Sequence, residues 1–237
     1  VELKSQLKIH ALPSGKIEIL TSNTEMGQGA NTIFTQIAAA NLNYSTKDII
    51  IAETDTSIVP DSGPTVASRT SMIVGYLLDQ ACNKLKQKLN QTNNQNNNNN
   101  NPDTNIKQAI INWYKHQSSQ NKQLTETAQY QKPPNINWND KTYKGDAYST
   151  YAWATYIAEV EIDTRTYTTT VTSFTAVQEI GKVLNQTLAS GQIQGGVTQG
   201  IGWALSEQCH WENGAMTNNQ LTNYIIPTCC DVPVIKV

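Results

Sequence analysis

A glutamine between two glycines stands directly ahead of an apolar helical run. The segment is residues 24–32 (TEMGQGANT), and apolar residues at helical spacing follow over residues 33–42. Glycine has no Cβ, so Gly27 and Gly29 let the backbone approach a ligand and adopt positive φ. The free N–H groups of a helix start also attract anions. A plain strand-to-helix turn and a ligand-binding loop both fit this pattern.

A second glycine-rich segment favours the ligand-binding interpretation. Residues 191–202 read GQIQGGVTQGIG, and Gln192 again follows a glycine at a predicted helix start. Two such segments could converge on one large polar ligand. The alternative is close helix packing, because a helical glycine costs about 1 kcal/mol relative to alanine and several suggest a steric requirement. The two interpretations are compatible.

A third segment places hydroxyl groups and an arginine at a predicted helix start. The loop of residues 55–64 is followed by Ala67, Ser68, Arg69 and Thr70, and helical spacing resumes over residues 73–85. These side chains and the first-turn N–H groups suit a phosphate. Ordinary N-capping by serine or threonine is the alternative.

The remaining pattern predicts an α+β fold of two mixed α/β subdomains with antiparallel hairpins and packed helices. We expect a first cofactor-binding subdomain over residues 1–90 and a second over residues 106–237. An Asn-rich low-complexity stretch, residues 91–105, is predicted to be a solvated loop between them. The predicted strands are residues 7–12, 17–20, 49–52, 151–163 and 167–176, and a last hairpin turns at residues 212–214.

Composition excludes several classes of function. The net charge is −2, charged residues make up 15% of the chain, and no basic stripe predicts nucleic-acid binding. The apolar runs are too short for a membrane span, so we expect a cytoplasmic protein. The four cysteines lack metal-site spacing, which predicts reduced thiols and no protein-ligated metal. The absence of a P-loop motif argues against a P-loop nucleotide binder.

Taken together, the segments resemble the molybdenum-binding subunit of the xanthine dehydrogenase and aldehyde oxidase family. The likeness runs almost end to end and in the family's order. It includes residues 68–70, 142–148, 158–163, 174–178 and 224–227. The resemblance implies the fold of the second molybdopterin-binding domain of xanthine dehydrogenases.

The resemblance also implies a cofactor and a reaction. The cofactor would be a molybdenum-pyranopterin, either molybdopterin or its cytosine dinucleotide. The reaction would oxidise a small N-heterocycle or aldehyde with water as the oxygen source. Electrons would leave through [2Fe–2S] clusters and FAD on partner domains or subunits. The protein would bind and orient the cofactor, which carries the redox chemistry.

Site residues follow from the family motifs one by one. Gln28, between Gly27 and Gly29, resembles the amide that hydrogen-bonds the cofactor. Ala67, Ser68 and Thr70 match the segment that contacts the pterin and phosphate region, with Arg69 between them. Gln192 matches the glutamine of the later glycine-rich motif. No metal-ligating or catalytic side chain is implied within the chain.

One departure concerns the catalytic base. The family's glutamate lies in a Gly-Glu motif beyond the Tyr-x-x-Pro segment, here residues 224–227, and the sequence ends before such a motif. Neither Glu25 nor Glu207 is assigned that role. The first residue is Val1, so we expect a piece of a longer polypeptide that needs the other half of the molybdenum domain and is inactive alone. The alternative is a non-catalytic cofactor-binding or scaffold fragment.

Overall fold

A computed structural model describes residues 5–96, 105–116, 122–139, 141–146, 148 and 150–237. The chain forms two compact units, Val1–Ser149 and Thr150–Val237. Each unit combines helices with small sheets, so the predicted α+β class is confirmed.

The first unit is built on a four-stranded sheet in the order β3-β2-β1-β4. Its strands are β1 (Gln6–Ala11), β2 (Ile17–Leu20), β3 (Ile49–Ile51) and β4 (Leu124–Gln129). Strand β1 pairs antiparallel with β2 and β4, whereas β2 pairs parallel with β3. Every second side chain of β1 is buried, because alternate residues of a strand face one side of the sheet. The predicted first hairpin is therefore confirmed.

Three helices complete the core of the first unit. They are α1 (Ala30–Leu42), α2 (Gly75–Asn96) and α3 (Ile106–Lys115). Helices α1 and α2 pack on this sheet, and α3 packs on α2. A π-helical turn, Thr70–Val74, leads directly into α2. The largest fully buried side chains of the unit are Leu7, Ile9, Ile17, Ile19, Phe34, Leu42, Val74, Leu77, Leu78, Leu85, Ile110 and Leu124. A further antiparallel pair joins β5 (Trp138–Asn139) to β6 (Lys144–Gly145).

The division of the chain differs from the predicted one. Residues 106–149 belong to the first compact unit, because α3 contacts α2 and β4 pairs with β1. Part of the Asn-rich stretch is also not a loop, since α2 continues to Asn96. Residues 97–104 lie outside the described residues. The cofactor-binding role of each predicted subdomain stays a prediction.

Strand β4 was missed because a carboxylate interrupts its apolar alternation. Leu124 and Ala128 are fully buried, but Glu126 lies between them on the same strand face. The Glu126 carboxylate is bonded to Lys88 Nζ at 2.6 Å. The ion pair is formed by the tertiary structure, so the local sequence does not indicate a strand there.

The second unit is organised around a long hairpin. Strand β7 (Ala154–Asp163) pairs antiparallel with β8 (Thr168–Gln178), with a bulge between Glu159 and Val160. The second unit also contains helix α4 (Gln186–Leu205). Its residues Val197 and Ile201 form a small core with Val171 and Ile235. Both predicted strands of this hairpin are confirmed.

Two short pairings complete the second unit. Strands β9 (Trp211–Glu212) and β10 (Ala215–Met216) are joined by Asn213 and Gly214, with φ of 50° and 80°. This is the Asn-Gly pattern of a tight hairpin turn, as predicted. Strand β11 (Ile235–Lys236) adds parallel to β8 and was not predicted. Within the described residues, no helix combines the length and the apolar character needed to cross a membrane.

Candidate functional site

The loop ahead of α1 needs glycine at two positions. Gly27 has a φ of 94°, and Gly29, the residue that caps α1, has a φ of 86°. Residues with a Cβ rarely adopt this left-handed conformation, so these glycines are required by geometry. No other atom lies within 4 Å of the position that a Cβ on Gly27 would occupy. The backbone at Gly27 is therefore open to a ligand.

A carboxylate of the same loop already occupies the start of α1. Glu25 Oε1 accepts hydrogen bonds from the N–H groups of Gly27 at 2.9 Å and Gly29 at 3.0 Å. Glu25 Oε2 accepts one from the N–H of Asn31 at 2.9 Å. Desolvation raises the pKa of Glu25, but the backbone hydrogen bonds together outweigh it, and the net shift is downward from 4.5.

The Gln28 side chain spans the same loop. Its Nε2 donates to the Thr24 carbonyl at 2.7 Å, and its Oε1 accepts from the Met26 N–H at 2.6 Å. A primary amide has two N–H groups and two oxygen lone pairs. One donor and one acceptor of Gln28 are therefore left for a ligand after the loop is formed.

The third predicted segment is a strained turn. The Arg69 N–H donates to the Val66 carbonyl at 3.2 Å, which closes a four-residue turn. Its central residues, Ala67 and Ser68, have positive φ of 50° and 56°. Turns with two positive φ values favour glycine, asparagine and aspartate. Strain of this kind, of order 1–3 kcal/mol per residue, concentrates at ligand clamps and active sites.

Arg69 anchors this turn from the interior. The residue is only 5% exposed, and its Nη1 donates to the carbonyls of Ser62 at 3.1 Å and Pro64 at 2.9 Å. Gly63 makes room for the guanidinium, since a Cβ there would lie 2.9 Å from Nη1. Desolvation lowers the pKa of Arg69, while Tyr130 and Asp61 act against that shift.

The same guanidinium keeps unused donors. Arg69 Nε and Nη2 are buried and have no hydrogen-bond partner among the described residues. These two groups form the side of the guanidinium that binds an oxyanion with two parallel hydrogen bonds. Asp61 only partly offsets the cost of burying this cation, and an anionic group would satisfy the two unpaired donors.

Hydroxyl groups join the two loops. Thr65 Oγ1 accepts from the Thr24 N–H at 3.0 Å and from Asn23 Nδ2 at 3.2 Å. Deeper in the unit, Ser62 Oγ accepts from Thr21 Oγ1 at 3.0 Å, and the Ser62 N–H donates to Ser22 Oγ at 2.8 Å. The structure therefore brings the Gln28 loop and the Arg69 turn to the same part of the first unit.

Thr70 lies at the junction between the strained turn and α2. It is the first residue of the π-helical turn, and its carbonyl accepts from the N–H of Gly75. Gly75 approaches α1 closely, because a Cβ there would lie 3.0 Å from Ile37 Cδ1. Single π-helical turns often accompany functional sites.

Comparisons with known proteins identify the family of this chain. A family model for the molybdopterin cofactor-binding domain matches residues 2–233. The chain belongs to the molybdopterin cofactor-binding domain family. Its relatives include a xanthine dehydrogenase of Dictyostelium discoideum, 30% identical over 230 residues, which cover 95% of this chain and 16% of the relative. The chain thus spans about one sixth of that relative's length.

Solved structures share the fold. Quinoline 2-oxidoreductase from Pseudomonas putida 86 matches with a TM-score of 0.79 and 25% identity, covering 98% of this chain and 30% of that one. The aldehyde oxidoreductase from Desulfovibrio desulfuricans matches with a TM-score of 0.79 and 23% identity, covering 98% of this chain and 24% of that one. The predicted resemblance is confirmed at the level of family and fold.

In this molybdopterin cofactor-binding domain, Gln192 does not lie at a helix start. Helix α4 begins at Gln186, after Asn185, whose side chain accepts from the Leu188 N–H at 3.0 Å. Gln192 is exposed in the second turn of α4 and belongs to the second unit. Its convergence with Gln28 on one ligand stays a prediction.

The glycines of α4 serve different purposes. A Cβ on Gly191, Gly195, Gly196 or Gly200 would meet no atom within 4 Å, so these positions are open in the structure. Gly202 is different, because a Cβ there would lie 2.4 Å from Pro227 Cδ. Close packing therefore explains Gly202 alone among these positions.

A groove between α4 and the β7–β8 hairpin has little polar character. Its volume is about 370 Å³, and its lining includes Tyr156, Phe174 and Val197 with Gly196 and Gly200. The Tyr156 hydroxyl is bonded to Gln178 Oε1 at 2.8 Å. The groove therefore lacks the convergent polar groups of a cofactor site.

The carboxylates and thiols of the described residues do not form a metal site. No group of three or more His, Cys, Asp or Glu side chains in those ranges is arranged to hold a metal ion.

Glu207 Oε2 accepts from the Tyr224 hydroxyl at 2.5 Å, which raises the pKa of Tyr224 to about 12. Burial raises the pKa of the Cys82 thiol to about 12.

Two residues of the site were missed from the sequence. Glu25 lies two, four and six residues ahead of the three residues whose N–H groups it accepts from. Its carboxylate can reach them because the glycines bend the loop back. That spacing was a usable signal. Thr65 gave none, since its contact with Thr24 spans 41 residues.

Proposed function

We propose that this chain binds a molybdenum-pyranopterin, molybdopterin or its cytosine dinucleotide, as part of a molybdenum hydroxylase. The enzyme would oxidise a small N-heterocycle or an aldehyde, with water as the oxygen source. The observation that carries the proposal is the pairing of the Gly27–Gly29 loop with the strained Ala67–Ser68 turn in the first unit. Thr65 links them by accepting a hydrogen bond from the Thr24 N–H at 3.0 Å.

The donor set of these loops suits an anionic, phosphate-bearing cofactor. Gly27 leaves open space, Ser68 is exposed on a strained turn, and Arg69 has two unused buried donors. Gln28 adds one donor and one acceptor beyond its contacts in the loop. In this proposal the residues that hold the cofactor are Gly27, Gln28, Gly29, Ala67, Ser68, Arg69, Thr70 and Gln192.

The protein's part is to bind and orient. The cofactor, when bound, supplies the redox chemistry at molybdenum. Gln28 would hold it by hydrogen bonds, and the Ala67–Ser68 turn would fix the backbone that faces it. The loops are already held by their own hydrogen bonds. They therefore lose little conformational entropy on binding, which favours affinity.

The relatives support the substrate class. Their names specify xanthine, quinoline and an aldehyde, and two of these three are N-heterocycles. We further propose that [2Fe–2S] clusters and FAD lie on other domains or subunits. The remaining half of the molybdenum domain would be another partner, because large apolar side chains such as Trp153 and Trp203 are 79% and 81% exposed.

The test uses the full-length protein. We expect the purified protein to contain molybdenum and pterin, and Gln28→Ala or Gln192→Ala to lower molybdenum content or turnover. Gln91→Ala is the matched control, since Gln91 is an exposed helical glutamine of α2 outside the proposed site. Full molybdenum content and unchanged turnover in both site variants would remove their roles.

A substrate screen separates the two functional hypotheses. Purines, other N-heterocycles and aldehydes would be offered to the molybdenum-loaded protein. Oxidation of one class supports the hydroxylase. A loaded protein that oxidises none of them supports the non-catalytic scaffold, and a protein without molybdenum contradicts both.

A further inference from the structure

Three backbone N–H groups at the start of α1 point at one side chain. Glu25 Oε1 accepts from Gly27 and Gly29 at 2.9 and 3.0 Å, and Oε2 accepts from Asn31 at 2.9 Å. Hydrogen bonds to a carboxylate are about twice as strong as those between neutral groups. The carboxylate also complements the positive end of the helix dipole.

This arrangement occupies two of the N–H groups at the start of α1, those of Gly29 and Asn31. A ligand phosphate needs free first-turn N–H groups, but those of Gly29 and Asn31 already have a charged acceptor. Gln28 lies between the two bonded glycines, and its amide keeps one donor and one acceptor beyond its contacts in the loop.

The loop depends on that carboxylate for its shape. Nothing lies within 4 Å of the added Cβ position on Gly27, so side-chain packing does not restrain the backbone there. Gln28 can bond Thr24 and Met26 at 2.7 and 2.6 Å only while the loop stays folded. The three bonds to Glu25 are the ones that restrain the backbone at Gly27 and Gly29 directly.

We propose that Glu25 is a positioning residue for the cofactor. Its carboxylate holds the backbone of Gly27, Gln28 and Gly29 so that the spare donor and acceptor of the Gln28 amide meet the cofactor in one fixed arrangement. The inference rests on the proposed function, in which Gln28 binds the cofactor. It assigns Glu25 neither a contact with the cofactor nor a role as the base.

The test compares two substitutions of Glu25 in the full-length protein. Glu25→Gln keeps the size but loses the charge and one acceptor oxygen, whereas Glu25→Asp keeps the charge. Hydrogen exchange of the Gly27, Gly29 and Asn31 amides is measured in cofactor-free protein. Molybdenum and pterin content is measured after loading. We expect roughly tenfold faster exchange and lower cofactor content in Glu25→Gln.

The conservative variant and a charge-matched control make the test specific. Glu25→Asp should recover cofactor content above that of Glu25→Gln, because it restores a charged acceptor. Glu53→Gln makes the same charge change at an exposed residue whose carboxylate has no hydrogen bond within the described residues, and it should behave as wild type.

The outcomes distinguish the two proposals. Faster exchange with full cofactor content in Glu25→Gln overturns the positioning role and leaves the proposed function standing. Unchanged hydrogen exchange in Glu25→Gln overturns the inference that the carboxylate restrains the backbone of the loop. Wild-type protein that takes up no molybdenum or pterin overturns the proposed function and with it the positioning role, while the exchange data still report on the restraint.

Discussion

Individual side chains hold the two loops of the first unit in shape. Glu25 bonds three N–H groups, Gln28 spans its own loop, and Thr65 connects that loop to the turn anchored by Arg69. Each hydrogen bond contributes only about 0.5–1.5 kcal/mol in net terms. The loops therefore respond to single substitutions without loss of the fold.

The first prediction concerns the pH dependence of the Glu25 contacts. The folded-state pKa of Glu25 is below its ordinary value of 4.5, so the ionised carboxylate stabilises the fold above that pH. The contribution is lost as the pH falls through the folded pKa. Glu25→Gln should lower the free energy of unfolding at pH 7 by about 1 kcal/mol or less, because the site is exposed and screened.

Urea denaturation of wild type and variant at pH 7 and pH 3 checks this expectation. The difference between them should shrink at pH 3, because the contribution of the ionised carboxylate decreases once the pH falls below the ordinary pKa of 4.5. A difference of the same size at both pH values would contradict the linkage. Glu53→Gln serves again as the charge-matched control.

The second prediction concerns backbone strain at Ala67, whose φ is 50°. Ala67→Gly should raise the free energy of unfolding by about 1 kcal/mol, because glycine adopts this conformation without strain. Ala67→Val should lower it by a similar amount, because a branched Cβ is worse there. Ala40→Gly, at an exposed interior position of α1, should instead cost about 1 kcal/mol. Urea denaturation measures all three changes, and a destabilising Ala67→Gly would refute the strain.

Among the elements, α4 contains glycines in two different environments, one open and one closely packed. Its open glycines, including Gly200, meet no neighbouring atom, whereas Gly202 packs against Pro227 and Glu207. The sequence alone treats these positions alike. Only packing distinguishes them.

The third prediction is that alanine substitutions at Gly202 and Gly200 have opposite effects on stability. Gly202→Ala should destabilise the second unit by about 1–3 kcal/mol, because the new Cβ would lie 2.4 Å from Pro227 Cδ and 2.7 Å from Glu207 Oε1. Gly200→Ala should stabilise it by about 0.5–1 kcal/mol, because alanine favours a helix and the position is open. Hydrogen exchange of the α4 amides under urea measures both. Equal effects of the two substitutions would contradict the packing at Gly202.

Across the molecule, burial is unevenly distributed between the two units. The first unit has a large continuous core, whereas the core of the second consists of Val171, Val197, Ile201 and Ile235 with a few partly buried neighbours. Large side chains such as Trp203, Tyr167 and Val234 are 81%, 82% and 82% exposed. We therefore expect the second unit to contact other polypeptide through these side chains.

The fourth prediction tests that inference by oxidative footprinting. Trp203 should be oxidised rapidly in the isolated chain and be protected several-fold in the full-length protein. Tyr44, which is partly buried in the first unit, is an internal control that should react alike in both. Equal oxidation of Trp203 in the two preparations would refute coverage of this surface.

The sequence by itself determined the family, the α+β class and most local elements. Alternating apolar residues specify β1 and β2, helical spacing specifies α1, and Asn213-Gly214 specifies a tight turn. These signals are local, because periodicity and turn chemistry act over a few residues. The glycines around Gln28 were likewise visible, since positive φ restricts residue type.

The tertiary structure alone decided the contacts between distant residues. It placed β4 beside β1, moved the boundary between compact units to residues 149–150, and joined Thr24 to Thr65. It also bonded the N–H groups of Gly29 and Asn31, at the start of α1, to the Glu25 carboxylate. The reason is physical: a carboxylate, a hydroxyl or a glycine has several possible partners, and the folded chain determines which one lies within reach.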